Sequence, residues 1–490
     1  MPLILLASSA MLLLFCLVQC VDAQTDHRLP ANGLQKQRVI VLTDIGAEAD
    51  DTESMVRTLL YSDVIDIEGL VATTSTWKRT SVSPELIQEI VHAYATAHEN
   101  LVNHDPNYPP AEFLQSLIKR GFPAYGMSGV GPGKDSEGSD WIIQALEKSD
   151  NRPLWIVVGG GVNTLAQALY ELRANQPPEE LDRLVAKLRV YTISDQDDSG
   201  PWIRKSFPKL FYIVTPGGDY GAATWTGINV FVPGIDNSTI SNKWLAKHIQ
   251  QGHGPLGAAY PDVAYGMEGD TPSWLSLIPN GLSDPEHPEW GGWGGRYELY
   301  QPKIDVTDPK TFLGGVPIEP ETRPIWTNAT DDYTPYVPGE YGRSIVTGNK
   351  SFRDFKATIW RWRDDFQNDF AARMDWATKP YKDANHPPVI VLDRSDAITV
   401  HSGEQLRLGA SATDPDGDSL TFYWFQYPEA GTYKKSIPFI AAENLTHVEL
   451  VAPEVEKVET MHIILRVTDK GTPPLSRYKR IIVTITPGPK

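Results

Sequence analysis

Short, wholly apolar runs alternate with amphipathic stretches along the first half of the chain. Val39–Leu42 (VIVL) is a run of the kind buried on both faces in a parallel sheet. Thr52–Ser62 follows with helical spacing, Ile67–Thr73 predicts a second strand, and Pro84–Asn100 predicts a helix with proline in its first turn. The rhythm continues through strand Leu154–Val158, helix Asn163–Ala174, a helix near Pro178–Lys187, and strands Arg189–Ser194 and Leu210–Val214. Such alternation predicts an α/β fold: a mostly parallel sheet with helices on both faces.

The pattern changes twice further on. Residues 255–350 are rich in Gly, Pro, Trp and Asp and show little periodicity, and an aromatic-rich helix is then expected over Arg353–Ala377. Its aromatics, Phe355, Trp360, Trp362, Phe366, Phe370 and Trp376, fall largely at helical spacing and read as packing positions. Lys382–Pro388 (KDANHPP) reads as a linker, because paired prolines block helix continuation. Beyond it, short alternating runs such as Leu420–Phe425, His462–Val467 and Arg480–Ile485 are separated by turn clusters, the pattern of an immunoglobulin-like β-sandwich. The expected division is an α/β domain over 36–381 and a sandwich over 387–488.

Composition narrows the chemistry. Both cysteines, Cys16 and Cys20, lie in an uncharged, Leu-rich run over residues 2–20 that precedes Val21-Asp22-Ala23. The small residues there fit cleavage of a signal peptide spanning 1–23, although no Lys or Arg precedes the run, and a retained anchor helix is the alternative. Cleavage would leave a secreted or periplasmic chain without cysteine, ruling out thiolate catalysis, thiolate zinc and disulfides, and without a membrane-spanning segment. Four sequons begin at Asn237, Asn328, Asn349 and Asn444. The formal net charge is −18, a balance that repels phosphate backbones and argues against a nucleic-acid polymer as partner.

The most informative stretch is Val39–Asp51 (VIVLTDIGAEADD). Asp44 stands just beyond an apolar strand, where parallel sheets bind ligands, and Glu48, Asp50 and Asp51 follow at a helix entrance. Acids so placed read either as first-turn and capping groups or as oxygen ligands around a hard cation. The strand–Thr–Asp–loop–Asp–Asp–helix arrangement resembles the signature of nucleoside hydrolases. The longer run Leu42–Trp77, together with Met267–Glu298 and Thr358–Trp376, resembles the nucleoside hydrolase-like family of cellulose-binding proteins, which also carries a C-terminal sandwich.

That resemblance implies a Ca²⁺-dependent hydrolase of N-glycosyl or related bonds acting on a nucleoside or glycoside. Asp44 would be the metal-binding base, Asp50 the catalytic partner contacting the sugar diol, and Asp51 and Asp270 further metal ligands. A backbone carbonyl from Gly159 or Gly160, in Val157–Ala166, would complete the shell. Three departures stand out, the first being Leu42, which stands where nucleoside hydrolases often carry another aspartate. Two extra residues separate Asp44 from Asp50, and Gly269 stands where some relatives carry a histidine that protonates the leaving group.

Weaker candidates each carry two readings. Asp195 either faces the same cleft or is a turn acid, and Asn163 either binds ligand or simply caps a helix. His253 is either an acid or a loop histidine without catalytic duty. Trp290 and Trp293, set among glycines, either stack on sugar rings or form a hydrophobic plug. Asp414–Asp418 (DPDGD) reads as an Asx-stabilised turn, since the full calcium-loop pattern is absent. The competing functional reading is a non-catalytic protein that binds cellulose or another polysaccharide. A third makes the sandwich the active part, in adhesion.

Overall fold

The structure is a computed structural model that describes residues 35–216, 224–303, 319–338, 344–346, 350–439 and 445–488. The expected signal segment and the sequons at Asn349 and Asn444 lie outside the described residues. Among the described residues, no helix is long and apolar enough to cross a membrane.

The principal sheet has eight strands: β1 (Arg38–Thr43), β2 (Asp66–Ala72), β3 (Ile118–Arg120), β4 (Leu154–Val158), β5 (Leu188–Thr192), β6 (Phe211–Val214), β7 (Tyr297–Tyr300) and β8 (Ile325–Asn328). Their order is β3-β2-β1-β4-β5-β6-β8-β7, parallel throughout except where β7 meets β8. Every residue of β1 and β4 is buried, because helices cover both faces and leave no polar side to alternate with. Two apolar layers result: one joins Val39, Leu59, Val91 and Trp274, the other Ile40, Ile156, Leu165 and Tyr212. The chain builds outward from β1 through β2 to β3 and then restarts at β4 on β1's other edge. The crevice between β1 and β4 is therefore the topological switch point, where open α/β sheets place their ligands.

Helix α1 (Ala49–Leu60) starts three residues earlier than the periodicity predicts. Glu48 caps it, and its backbone N–H donates to Asp51 Oδ2 at 3.1 Å. Helix α2 spans Pro84–His104, and helix α3 spans Asn163–Asn175. The aromatic helix is not continuous: Phe352–Asp354 is a strand paired with Asp331–Tyr333, Ala357–Trp360 is a single turn, and α4 occupies Arg363–Trp376. Asp354 accepts the Lys356 N–H at 2.7 Å, a local bond that competes with helix. Helix α4 is buried over most of its circumference, so several of its polar residues are buried in pairs. Arg373 bonds Asp63 and Asp369, while Asp369 also receives Arg477 from the C-terminal sheets.

Those C-terminal sheets are β9 (Val389–Leu392), β11 (Gln405–Thr413) and β13 (His447–Val451) in one layer. The other holds β10 (Ala397–His401), β15 (Ser476–Thr486), β14 (Glu459–Asp469) and β12 (Leu420–Gln426). Between them lies a core built on Trp424, Leu408, Val448, Ile463 and Val483, the two-layer packing of a β-sandwich. The Asp414 turn is held by Asp414 Oδ1, which accepts the N–H groups of Asp416 and Asp418 at 2.9 and 3.0 Å.

Candidate functional site

Asp44 follows β1, and the turn Gly159-Gly160-Gly161 follows β4, so both stand at the switch point. Backbone bonds lock the walls together: Gly159 N–H donates to Leu42 O at 3.0 Å, and Gly161 N–H to Thr74 O at 2.7 Å. Each glycine of the turn faces a different aspartate. A Cβ at Gly159 would collide with the Asp270 carboxylate, one at Gly160 with Asp44, and one at Gly161 with Asp197. The three glycines are what let three carboxylates approach one piece of backbone.

Asp44, Asp50, Asp51 and Asp270 are all buried. Asp51 stands close enough to Asp44 and Asp270 for each to shift the other's proton affinity. Asp50 Oδ2 accepts the Trp225 indole N–H at 2.8 Å and the Gly269 N–H at 3.2 Å. Burial pushes the Asp50 carboxyl up to about 6, and the Asp44 charge adds to that. Burial likewise lifts Asp44, against hydrogen bonds from Ser75 and Asp51. Asp51 and Asp270 stand well above the usual carboxylate range, first from burial and then from their acidic neighbours. Glu48, at the rim, is pushed to about 7 by burial and by the charges of Asp50 and Asp44. Lys78 lowers Asp44 slightly, but its ammonium is committed to Ile45 O at 2.6 Å and Ser83 Oγ at 2.7 Å.

The second wall comes from Met267–Thr271. Glu268, with φ +49°, is the only non-glycine residue at positive φ among the described residues. Its N–H donates to Glu53 at 2.8 Å, while its carboxylate takes Arg57 at 2.6 Å and the Tyr260 hydroxyl at 2.8 Å. This clamp fixes a strained backbone that sends the Gly269 N–H to Asp50 and the Asp270 side chain to Gly159.

Four converging carboxylates form an all-oxygen donor set that suits a hard cation such as Ca²⁺. Burial raises Asp44, Asp51 and Asp270 together, so protons compete with any cation for their oxygens. Among the described residues no three His, Cys, Asp or Glu side chains are arranged to hold a metal ion. A cavity of about 10 Å³ lies beside Asp51, Asp270 and Gly159. The Gly159 carbonyl, one of the two expected to complete the metal shell, accepts the Gln196 amide and keeps its second lone pair.

The remaining candidates lie elsewhere or serve the frame. Asn163 is buried in the first turn of α3, accepting Thr73 Oγ1 at 2.8 Å and donating to Ala124 O at 2.9 Å. It links two loops of the site rather than capping its helix. Asp195 is bidentate to Arg204 at 2.8 Å to each oxygen, so it is neither a cleft ligand nor a simple turn acid. His253 is buried with Nε2 2.9 Å from Asp375 Oδ1, at the C-terminal end of α4. Trp293 is fully buried, edge-on to Phe366 and Tyr478, with its N–H 3.3 Å from the Tyr478 hydroxyl. It plugs the junction with the sandwich and offers no face to a sugar. Trp290 is half-buried and already stacked on His287, with ring centres 3.9 Å apart.

Sequence reasoning missed Trp225, Glu53, Gln196 and Asp197. Asp197 is buried with Oδ2 unpartnered, and burial pushes it to about 6. The signal for it was present: three consecutive glycines invite three close approaches, and Asp197 lies two residues beyond Asp195. No sequence pattern marks Trp225.

A mostly parallel sheet whose first strand ends in an aspartate cluster, joined to a β-sandwich, defines a nucleoside hydrolase-like protein with a C-terminal sandwich. Residues 38–297 match the family model for the nucleoside hydrolase-like domain of cellulose-binding Sde182, and residues 405–485 match that for the C-terminal domain of cellulose-binding protein Sde0182. The chain belongs to this family. A solved relative is a nucleoside hydrolase-related hypothetical protein from Saccharophagus degradans, described as associated with carbohydrate metabolism. It is 34% identical, with a TM-score of 0.75, covering 92% of this chain and 100% of that one. No curated protein matches the chain.

Proposed function

We propose that the protein is an extracellular hydrolase of N-glycosyl or related glycosyl bonds, dependent on a divalent cation, most simply Ca²⁺. The carrying observation is the set of buried carboxylates Asp44, Asp50, Asp51 and Asp270, gathered at the switch point with no arginine among their bonds. Such a group is costly to fold and serves a bound ligand. Asp44, Asp51 and Asp270 would hold the cation, which when bound would lower the pKa of a water and engage a vicinal diol. Asp44 takes the proton of the attacking water. Asp50, oriented by Trp225 and the Gly269 N–H, accepts hydroxyls of the sugar.

The test is incubation with a panel of nucleosides and glycosides in Ca²⁺, measuring free base and reducing sugar. Cleavage that disappears in a folded Asp44→Ala variant supports the reading, and absence of cleavage across the panel sinks it. A second reading, a non-catalytic polysaccharide binder, is favoured by Gly269. A side chain there would collide with the Trp225 ring, so the position that carries a leaving-group acid in some relatives is filled by indole. The family's cellulose-binding description points the same way. Retention on insoluble cellulose without turnover of any panel member would select it.

A further inference from the structure

Three segments meet where the linker reaches the sandwich. From the linker, Asn385 donates its amide N–H groups to Asp469 Oδ1 at 3.0 Å and to Pro473 O at 2.7 Å. The next residue, His386, docks on the Asp414–Asp418 turn by donating its backbone N–H to Asp416 Oδ2 at 2.7 Å. That turn runs into β12, whose first residue, Leu420, pairs with Asp469 at the end of β14. Asp469 Oδ1 also takes the N–H groups of Gly471 and Leu475, at 2.9 and 3.0 Å. Position 471 requires glycine, because a Cβ there would strike the Asn385 amide.

These bonds use one oxygen of each acid and leave the other over. Among the described residues, Asp414 Oδ2, Asp469 Oδ2 and Asn385 Oδ1 are shut off from solvent with no hydrogen-bond partner. Asn385 is 5% exposed and Asp469 2%. The Asn385 amide cannot turn over to present a donor, since its nitrogen already faces two acceptors. Burial lifts the Asp469 carboxyl against its hydrogen bonds, and the charge of Asp414 adds to the rise, so the two acids stand within electrostatic reach. Each buried acceptor left without a proton costs about 1–3 kcal/mol. A single water has too few hydrogens for three such oxygens, whereas a hard cation serves all of them.

We propose that Asp414 Oδ2, Asp469 Oδ2 and Asn385 Oδ1 bind a calcium ion that ties the linker to the sandwich. The donors are hard oxygens, and two carboxylates balance a divalent charge. Water and backbone carbonyls complete the roughly six to eight ligands that Ca²⁺ takes. Asp416 takes no part, because its carboxylate already holds the His386 backbone N–H and, at 3.0 Å, the ring Nδ1. The Asx bonds of the turn are kept, since Asp414 spends only Oδ1 on them. This site is separate from the cluster at Asp44 and stands independently of the hydrolase reading.

Calcium titration calorimetry on the full chain tests this, in the wild type and in Asp51→Asn, which removes a ligand of the first cluster. The expected dissociation constant is about 10⁻⁴–10⁻³ M, the range of extracellular modules. Asp414→Asn and Asp469→Asn keep the Oδ1 bonds that fold the turn and the strand end. Each should nevertheless weaken this site by about tenfold or more. Lys382, exposed in the linker, gives a local readout. Calcium at about ten times its Kd should slow tryptic cleavage there about tenfold in the wild type and in Asp51→Asn. No such protection is expected in Asp414→Asn or Asp469→Asn. Absence of calcium binding by Asp51→Asn, or protection that persists in Asp469→Asn, overturns the proposal. Failure of the hydrolase reading shows separately, as absence of any glycosyl cleavage while calcium still protects the linker.

Discussion

Two groups of buried acids in this molecule are managed in opposite ways. At Arg204, two carboxylates share one guanidinium: Asp195 is bidentate to it, and Glu321 bonds its Nε as well, all three buried. Asp369 follows the same rule: burial pushes it up, but Arg477 and Arg373 outweigh that and hold it below its ordinary value. In the cluster of Asp44, Asp50, Asp51 and Asp270, burial and mutual repulsion act with no guanidinium to oppose them, and every member is raised. The frame acids are balanced within the chain, whereas the cluster is left to be balanced by protons or by something that binds.

That contrast can be broken by substitution. Arg204→Met strands Asp195 and Glu321 in the interior and should cost about 3–5 kcal/mol, read as a lower urea midpoint. Asp51→Asn, removing one acid from a like-charged group, should leave the metal-free midpoint unchanged or higher at neutral pH. An equal loss in both variants would erase the distinction. The same asymmetry carries into turnover: Asp44→Asn should lower glycosyl cleavage by about 10²–10⁴-fold with folding intact. A ligand that supplies the missing charge should sharpen the contrast further. Calcium at about a hundred times its Kd should raise stability by about 2.7 kcal/mol at neutral pH, and by less near pH 4.5, where protons compete for the same oxygens.

The smallest effect distinguishes the two kinds of acid by the sign of their pH dependence. Asp197, raised to about 6 by burial, binds its proton more tightly in the folded state. Its stabilising contribution is therefore complete below its ordinary value of 3.8 and is lost as the pH rises through about 6. Asp150 behaves in reverse. Burial raises it, but Arg152 outweighs that and brings it down to about 2, so its contribution is present above 3.8 and is lost as the pH falls through about 2. Asp197→Asn should flatten the loss between pH 4 and 6 by on the order of 1 kcal/mol and leave the acid limb untouched. A stability profile of the variant superimposable on the wild type over that range would contradict the assignment.

Much of the frame was readable because its signals are local. Apolar runs flanked by turn residues gave strands β1, β2, β4, β5 and β6, since a strand buried on both faces needs no partner to declare itself. Asp44, Asp50 and Asp51 stand within eight residues of one another and could be singled out together. Where local and distant demands diverged, the reading failed. Helix Arg353–Ala377 looks continuous by spacing, yet Phe352–Asp354 pairs with Asp331–Tyr333 and detaches the first turn. Trp293, among glycines, looked as fit for sugar as for packing until the sandwich closed over it.

By itself the sequence determined the α/β rhythm, the change to alternating strands after residue 388, and the acid run at the end of the first strand. Those properties follow from periodicity and from neighbours along the chain. Only the tertiary structure decided which acids meet. It brought Asp270 and Asp197 to a glycine turn from distant segments, laid Trp225 on Asp50, and removed Asp195 from the site by giving it to Arg204. The reason is physical: a carboxylate's role is set by the charges and donors within a few ångströms once water is gone, and chain order does not record those neighbours.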